Sequence, residues 1–287
     1  MKKGMLYALI TAILFVTYEP ISKLIAGTVN PYAITFWRFI MGSLILLPPA
    51  LVKIKKDSIH IGIKDFLVMS ALGILFICIS MIALQVGVKK ADSPSLIAIV
   101  FSSNSIFTIL FAILILKEKL TKNKTIALLL GVAGVIMCAD FSSGTNLESI
   151  LYGVFSALSF SLYTVLSQKF VKKFGGIVQT SLVFLIGSII LMIALLVMGV
   201  DLMPQFTPSV IGILIYIGFL VTGVGYGCYF KAIEKGGAIM ASLAFFIKPI
   251  LTPFVTFLII GIVPDFKVFV AVACIVVASY FATYKKN

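Results

Sequence analysis

The sequence predicts an all-α membrane protein of ten transmembrane helices, built as two five-helix halves that enter the bilayer in opposite senses. Three observations carry this: the composition, the lengths of the apolar runs, and a short pattern that returns about 145 residues later. The 287 residues are 61% hydrophobic and 11% charged, with a mean hydropathy of +1.19, against about 25% charged residues in ordinary soluble domains. Apolar runs fill nearly the whole length and leave almost nothing for a soluble domain.

A spanning helix needs about 20 apolar residues at ~1.5 Å rise each, because hydrocarbon offers a backbone amide no partner outside its own segment. Ten segments meet that test, near 4–26, 31–52, 65–87, 93–116, 124–140, 149–169, 176–199, 208–230, 237–261 and 266–284. The first follows Met1-Lys2-Lys3 and lacks a small-residue cleavage site, so it reads as a span and not as a signal peptide. Short connections make the whole an up-and-down bundle.

Orientation follows from lysine. With the N-terminus inside, seventeen basic residues fall on the inner side: Lys2 and Lys3 with fifteen lysines of the even-numbered connections and the C-terminus, among them Lys53, Lys64, Lys119, Lys172, Lys231 and Lys285. Only Lys89, Lys90 and Lys267 fall outside. Both termini are therefore expected in the cytoplasm, in a multi-pass protein of the inner (plasma) membrane. The net charge of +13 is this topology signal spread over loops, and no nucleic-acid face is expected. Cys78, Cys138, Cys228 and Cys274 all sit in apolar runs without metal or disulfide spacing, so neither a metal nor a cofactor is expected.

Phe39, Gly42, Ser43 and Leu46 of the second span recur 145 residues later as Phe184, Gly187, Ser188 and Leu191. Gly4, Ala8 and Leu9 of the first recur 149 later as Gly153, Ala157 and Leu158. The chain thus divides into a first repeat at 1–142 and a second at 146–287. Five spans is an odd number, which makes the repeats inverted. Such pairs hold a solute near the midplane and alternate access by rocking one half against the other, which favours a carrier.

The run Leu116-Lys117-Glu118-Lys119-Leu120-Thr121, the pair Gly225-Tyr226, and Ala241-Ser242 leading to Lys248-Pro249 resemble the drug/metabolite transporter superfamily, in particular its ten-helix EamA family. The resemblance runs over nearly the full length and implies two five-helix EamA-type repeats that move small metabolites, often outward. The chain departs from the pattern with Asn104 in place of a common proline, with Val263 where an acid would match Glu118, and with Lys248 where an acid would precede the proline.

Charges at mid-membrane cost about 2.5–3.5 kcal/mol to insert, so they face a cavity or a partner. Lys248 lies about 16 Å from either end of its segment by helical rise, beyond the reach of a snorkelling stem. It reads either as a substrate or coupling residue or as half of a buried pair, with Glu19 the candidate acid. Pro249 and Pro253 are expected to break its helix. Glu19, beside Pro20, and Arg38, the only arginine, lie at similar depth in the first two spans; they read as a static bridge or as substrate ligands, Glu19 also as a coupling group. Lys23 reads as an interface anchor. The repeat places Ser103, Val183 and Gln168 opposite Lys248, Arg38 and Glu19. Ser102, Ser103 and Asn104 are further polar candidates, against the plainer role of interhelical glue. Tyr18, Trp37, Tyr163, Tyr226 and Tyr229 are candidate aromatic walls, against ordinary packing.

No catalytic residue is expected: His60 is the only histidine and lies in a loop, and no metalloprotease or nucleophile motif appears. Nor is there a repeated filter of the kind channels use. The expectation is a secondary active exporter or exchanger, monomeric or homodimeric, of a small metabolite such as an amino acid or organic anion, by alternating access. The alternatives are a carrier of an organic cation or drug, and a lipid flippase.

Overall fold

A computed structural model describes residues 2–117 and 144–283 except 243, 264 and 265, and between 118 and 143 only 119, 121–123, 125, 126, 129, 130 and 133. The described chain is helical throughout its long elements. Seven helices are long and apolar enough to cross a membrane: Gly4–Lys23, Pro31–Lys56, Ile63–Lys90, Pro94–Leu116, Leu147–Phe174, Gly176–Val197 and Pro208–Ala241. They are the predicted first to fourth and sixth to eighth spans. Helices Ala244–Ile260 and Phe266–Thr283 occupy the predicted ninth and tenth. The predicted fifth span, 124–140, lies largely outside the described residues.

The outer surface is apolar. Leu6, Ile13, Val52, Leu151, Ile193, Val197 and Leu258 are exposed, as a bilayer solvent permits and water would not. Polar groups turn inward, where Ser80 and Ser156 hydroxyls each donate to the other residue's carbonyl at 2.9 and 2.7 Å. Thr11 likewise donates to the Gly225 carbonyl at 3.1 Å. The Ser80 and Gly225 carbonyls sit in π-helical stretches, Ile74–Met81 in the third span and Tyr216–Gly225 in the eighth, where the changed register loosens carbonyls from their usual partners.

The first span packs on the eighth and the sixth on the third; the second packs on the seventh and eighth, the seventh on the third; the fourth packs on the sixth and ninth, and the ninth on the first. Two glycine contacts bring backbones together. A Cβ on Gly73 would lie 2.9 Å from Gly187 Cα, and one on Gly42 would lie 3.1 Å from the Gly223 nitrogen, so only glycine permits these crossings.

Several local expectations change. Pro249 and Pro253 sit inside a helix that continues from Ala244 to Ile260; the break comes earlier, at Gly237 with φ +82°. The fourth span breaks at Ser103, between helices Pro94–Ser102 and Asn104–Leu116, with no proline there. Instead Ser102, Ser103, Asn104 and Ser105 donate to the carbonyls of Ala98, Val100, Phe101 and Ser102 at 2.6–2.7 Å, competing with the helix's own ladder. Lys23, read as an interface anchor, donates its ammonium to the carbonyls of Val88, Lys89 and Ala91, where the third span ends and the helix dipole is negative.

Candidate functional site: a buried charge cluster at the centre of the bundle

Glu19 sits just past a break in the first span, between helices Lys2–Val16 and Tyr18–Lys23. Pro20 explains the break, because it lacks the N–H that would bond the Val16 carbonyl four residues back. The same break presents Tyr18, Glu19 and Ser22 to the interior, all buried.

Glu19 Oε1 accepts a hydrogen bond from Lys248 Nζ, and both side chains are essentially inaccessible, at 0% and 2% exposure. Glu19 therefore pairs with Lys248 and not with Arg38, the bridge drawn from depth alone. Its second oxygen, Oε2, has no hydrogen-bond partner. The Lys248 ammonium stands 5.2 Å from the centroid of Phe101 and 5.9 Å from that of Phe245, within cation–π range. Thr252 Oγ1 donates to the Lys248 carbonyl at 2.8 Å.

Arg38 is also buried, and among the described residues it forms no ion pair with a carboxylate. Its guanidinium carbon lies 4.1 Å from the Tyr18 ring centroid and 4.5 Å from that of Phe39; Nη2 contacts Met81 Sδ at 2.9 Å, and Nε has no partner. Glu19, Lys248 and Arg38 together leave one positive charge uncompensated. Tyr18, Arg38, Tyr226 and Lys248, with Phe15 and Phe101, line a cavity of about 10 Å³, which is roughly room for one water.

Tyr226 and Tyr229 belong to a buried aromatic layer with Phe15, Phe76, Phe160 and Phe245. Tyr163 joins the layer from the far side, stacked on Phe76 at 4.4 Å. Ser103 and Asn104 spend their hydroxyl and amide on their own helix, although Asn104 Oδ1 stays unpaired. Trp37 stands apart: it donates to the Leu202 carbonyl at 2.8 Å and packs on Phe206.

Several site residues were not predicted, Phe15, Phe101 and Ser22 among them, and two more make polar contacts inside the site. Gln85 Oε1 accepts from the Tyr18 hydroxyl, and its amide exchanges hydrogen bonds with Ser22; a lone amide in an apolar span was the available signal. Met81, which touches both Arg38 Nη2 and the Tyr226 hydroxyl, carries no such signal. Among the described residues no group of His, Cys, Asp or Glu is placed to hold a metal ion.

Comparison with known proteins places this architecture. The EamA-like transporter family matches the chain twice, at residues 2–139 and 147–284. The chain belongs to that family. It is 33% identical to an uncharacterized transporter of Clostridium kluyveri, over 100% of this chain and 94% of that protein. It is 24% identical to the uncharacterized transporter YyaM of Bacillus subtilis, over 89% and 85%. A protein of Rickettsia prowazekii named an S-adenosylmethionine uptake transporter is 25% identical over 59% of this chain and 56% of its own length. A solved crystal structure shares the fold, with a TM-score of 0.72 at 16% identity, covering 99% of this chain and 97% of the other. This EamA chain is thus a multi-pass membrane transporter.

Proposed function

We propose that this EamA transporter is a secondary active carrier of a small metabolite bearing a carboxylate, an amino acid or organic anion, which it exports or exchanges by alternating access. The observation that carries the reading is Arg38: a buried guanidinium that forms no ion pair among the described residues, beside a cavity that Lys248 also lines. A carboxylate there gains two cations at low dielectric, and a free ammonium on the same solute finds the unpaired Glu19 Oε2. An organic cation without a carboxylate fits less well, because it would meet two buried cations, Arg38 and Lys248, against the single acid Glu19. The cavity, at about 10 Å³, is far below the ~300 Å³ of ordinary ligand pockets, so the site must open for any solute; Glu19 and Lys248 are its proposed coupling pair.

The frame of the proposal is ten spans in two inverted repeats, with both termini in the cytoplasm. Its support is a packing pattern that maps onto itself when each span is exchanged for the one five places along: first-on-eighth with sixth-on-third, second-on-eighth with seventh-on-third, ninth-on-first with fourth-on-sixth. Related spans share their irregularities, the third and eighth both carrying π-helical stretches. Phe39 and Phe184, matched by the sequence repeat, meet each other at 4.9 Å.

A thermal-shift panel of amino acids, organic acids and organic amines on purified protein tests the substrate class, since a ligand of the folded state raises its apparent stability. Carboxylate-bearing compounds should raise the unfolding temperature, Arg38→Gln should abolish that shift, and radiolabelled hits should show counterflow in proteoliposomes. A panel in which only amines lacking a carboxylate stabilise the protein would overturn the reading, and lipid translocation without counterflow would make it a flippase.

A further inference from the structure

Tyr163 and Ser167 of the sixth span and Gln179 of the seventh are completely buried, and four of their polar atoms have no hydrogen-bond partner: the Tyr163 hydroxyl, Ser167 Oγ, and both amide atoms of Gln179. The Tyr163 hydroxyl interacts with both Ser167 and Gln179 without reaching full hydrogen-bond geometry with either, so these under-satisfied groups converge on one spot. Buried polar atoms are satisfied in nearly all native structures. A buried cluster whose members bond one another only weakly keeps hydrogen-bonding capacity for a solute group.

The position of the cluster is informative. Gln179 is one turn from Gly176, whose N–H donates to Glu234 Oε2 at 2.8 Å. Beside it opens a pocket of about 240 Å³ lined by Lys53, Lys172, Lys173, Phe174, Gly175 and Glu234. The Glu19–Lys248–Arg38 site lies toward the opposite end, where Lys23 caps the third span. Between them stands the aromatic layer: Tyr163 stacks on Phe76, and Phe76 meets Tyr226 at 5.3 Å, which lines the charged cavity. Along the bundle the order is therefore the lysine-rich mouth, the uncharged cluster, the aromatic rings and the charges. Under the sequence offset of 149, Ser167 is the counterpart of Tyr18. One member of the cluster thus matches a residue of the charged site in the other half.

We propose that Tyr163, Ser167 and Gln179 form a second, uncharged solute station, on the lysine-rich side of the aromatic layer, that takes a neutral hydrogen-bonding group such as a hydroxyl or carboxamide. Two hydroxyls and a carboxamide each donate and accept, so they bind such a group in several orientations without holding it tightly, as a way station requires. The inference rests on the carrier reading above, but its test needs no substrate.

In a background with Cys78, Cys138, Cys228 and Cys274 replaced by Ala, Ser167→Cys is challenged with the membrane-impermeant thiol reagent 2-sulfonatoethyl methanethiosulfonate, from each face of sealed vesicles. Modification is expected from the lysine-rich face alone, and Gln179→Leu, which removes two of the polar atoms, should slow it at least tenfold. Thr222→Val, whose lost hydroxyl bonds its own helix at the Ile217 carbonyl, should leave the rate unchanged. Gln179→Cys serves as an independent reporter should Ser167→Cys not fold. Absence of modification at both positions, modification from the opposite face, or a rate insensitive to Gln179→Leu would overturn the station. Failure of the carboxylate panel alone would sink the substrate class and leave the station standing.

Discussion

At the scale of single residues, the interior is organised by which charge finds which partner. Lys248→Met strands Glu19, whose second oxygen is already unpaired, and breaking a buried pair from one side costs about 3–5 kcal/mol. Adding Glu19→Gln removes the stranded charge, so the double variant should unfold near the wild-type temperature while the single one falls well below it. Counterflow should be absent in both; full transport by the stable double variant would refute a role for the pair. Arg38→Gln leaves Glu19 paired with Lys248, because Arg38 makes its direct contacts with rings and a sulfur and reaches Glu19 only through its charge. It should therefore lower the unfolding temperature less than Lys248→Met does, and equal losses would show that Arg38 is mainly structural. That Glu19, Arg38 and Lys248 lie deep was legible in the sequence, because depth is set by position along an apolar run. Which two of the three would pair was not, because pairing depends on helix rotation and on a break at Pro20 that turns Glu19 toward the ninth span.

At the scale of elements, close helix crossings and π-helical stretches fix the shape around the site. Gly187→Ala places a methyl 2.9 Å from Gly73 Cα, and the backbone it meets cannot rotate aside, so overpacking should cost about 1–3 kcal/mol. Gly212→Ala has nothing within 4 Å and gains helix propensity, so it should be neutral or slightly stabilising. Thermal unfolding of the two variants in the same detergent checks the contrast, and equal effects would remove the crossing from the argument. The repeat picked out Gly42 and Gly187 from sequence alone, yet the helices they meet were not predictable, since the partner glycines are remote in the chain. Neither π-helical stretch announces itself in residue type, and the break at Ser103 is written in four consecutive polar side chains where a proline was the familiar signal.

At the scale of the whole molecule, the lysines mark one end of the bundle. Lys173 pairs with Asp65 at 2.6 Å and Lys53 lies against Gly175, so the loops that carry the positive charge gather together. With that end in the cytoplasm, Lys172→Cys in a cysteine-free background should resist impermeant thiol reagents added outside intact cells, whereas Asp201→Cys should react; the reverse pattern would invert the topology. The sequence by itself determined the solvent of this protein, the number and placement of its apolar segments, its lysine asymmetry and its internal repeat, because all of these are properties of local composition and of the ~1.5 Å rise that any helix must obey in hydrocarbon. Only the tertiary structure decided that Lys248 and not Arg38 meets Glu19, that Arg38 packs against rings and a sulfur, and that Tyr163, Ser167 and Gln179 share one buried spot. Those facts depend on how spans distant in the chain rotate and cross, and crossing is set by side-chain shape between partners that no single segment encodes.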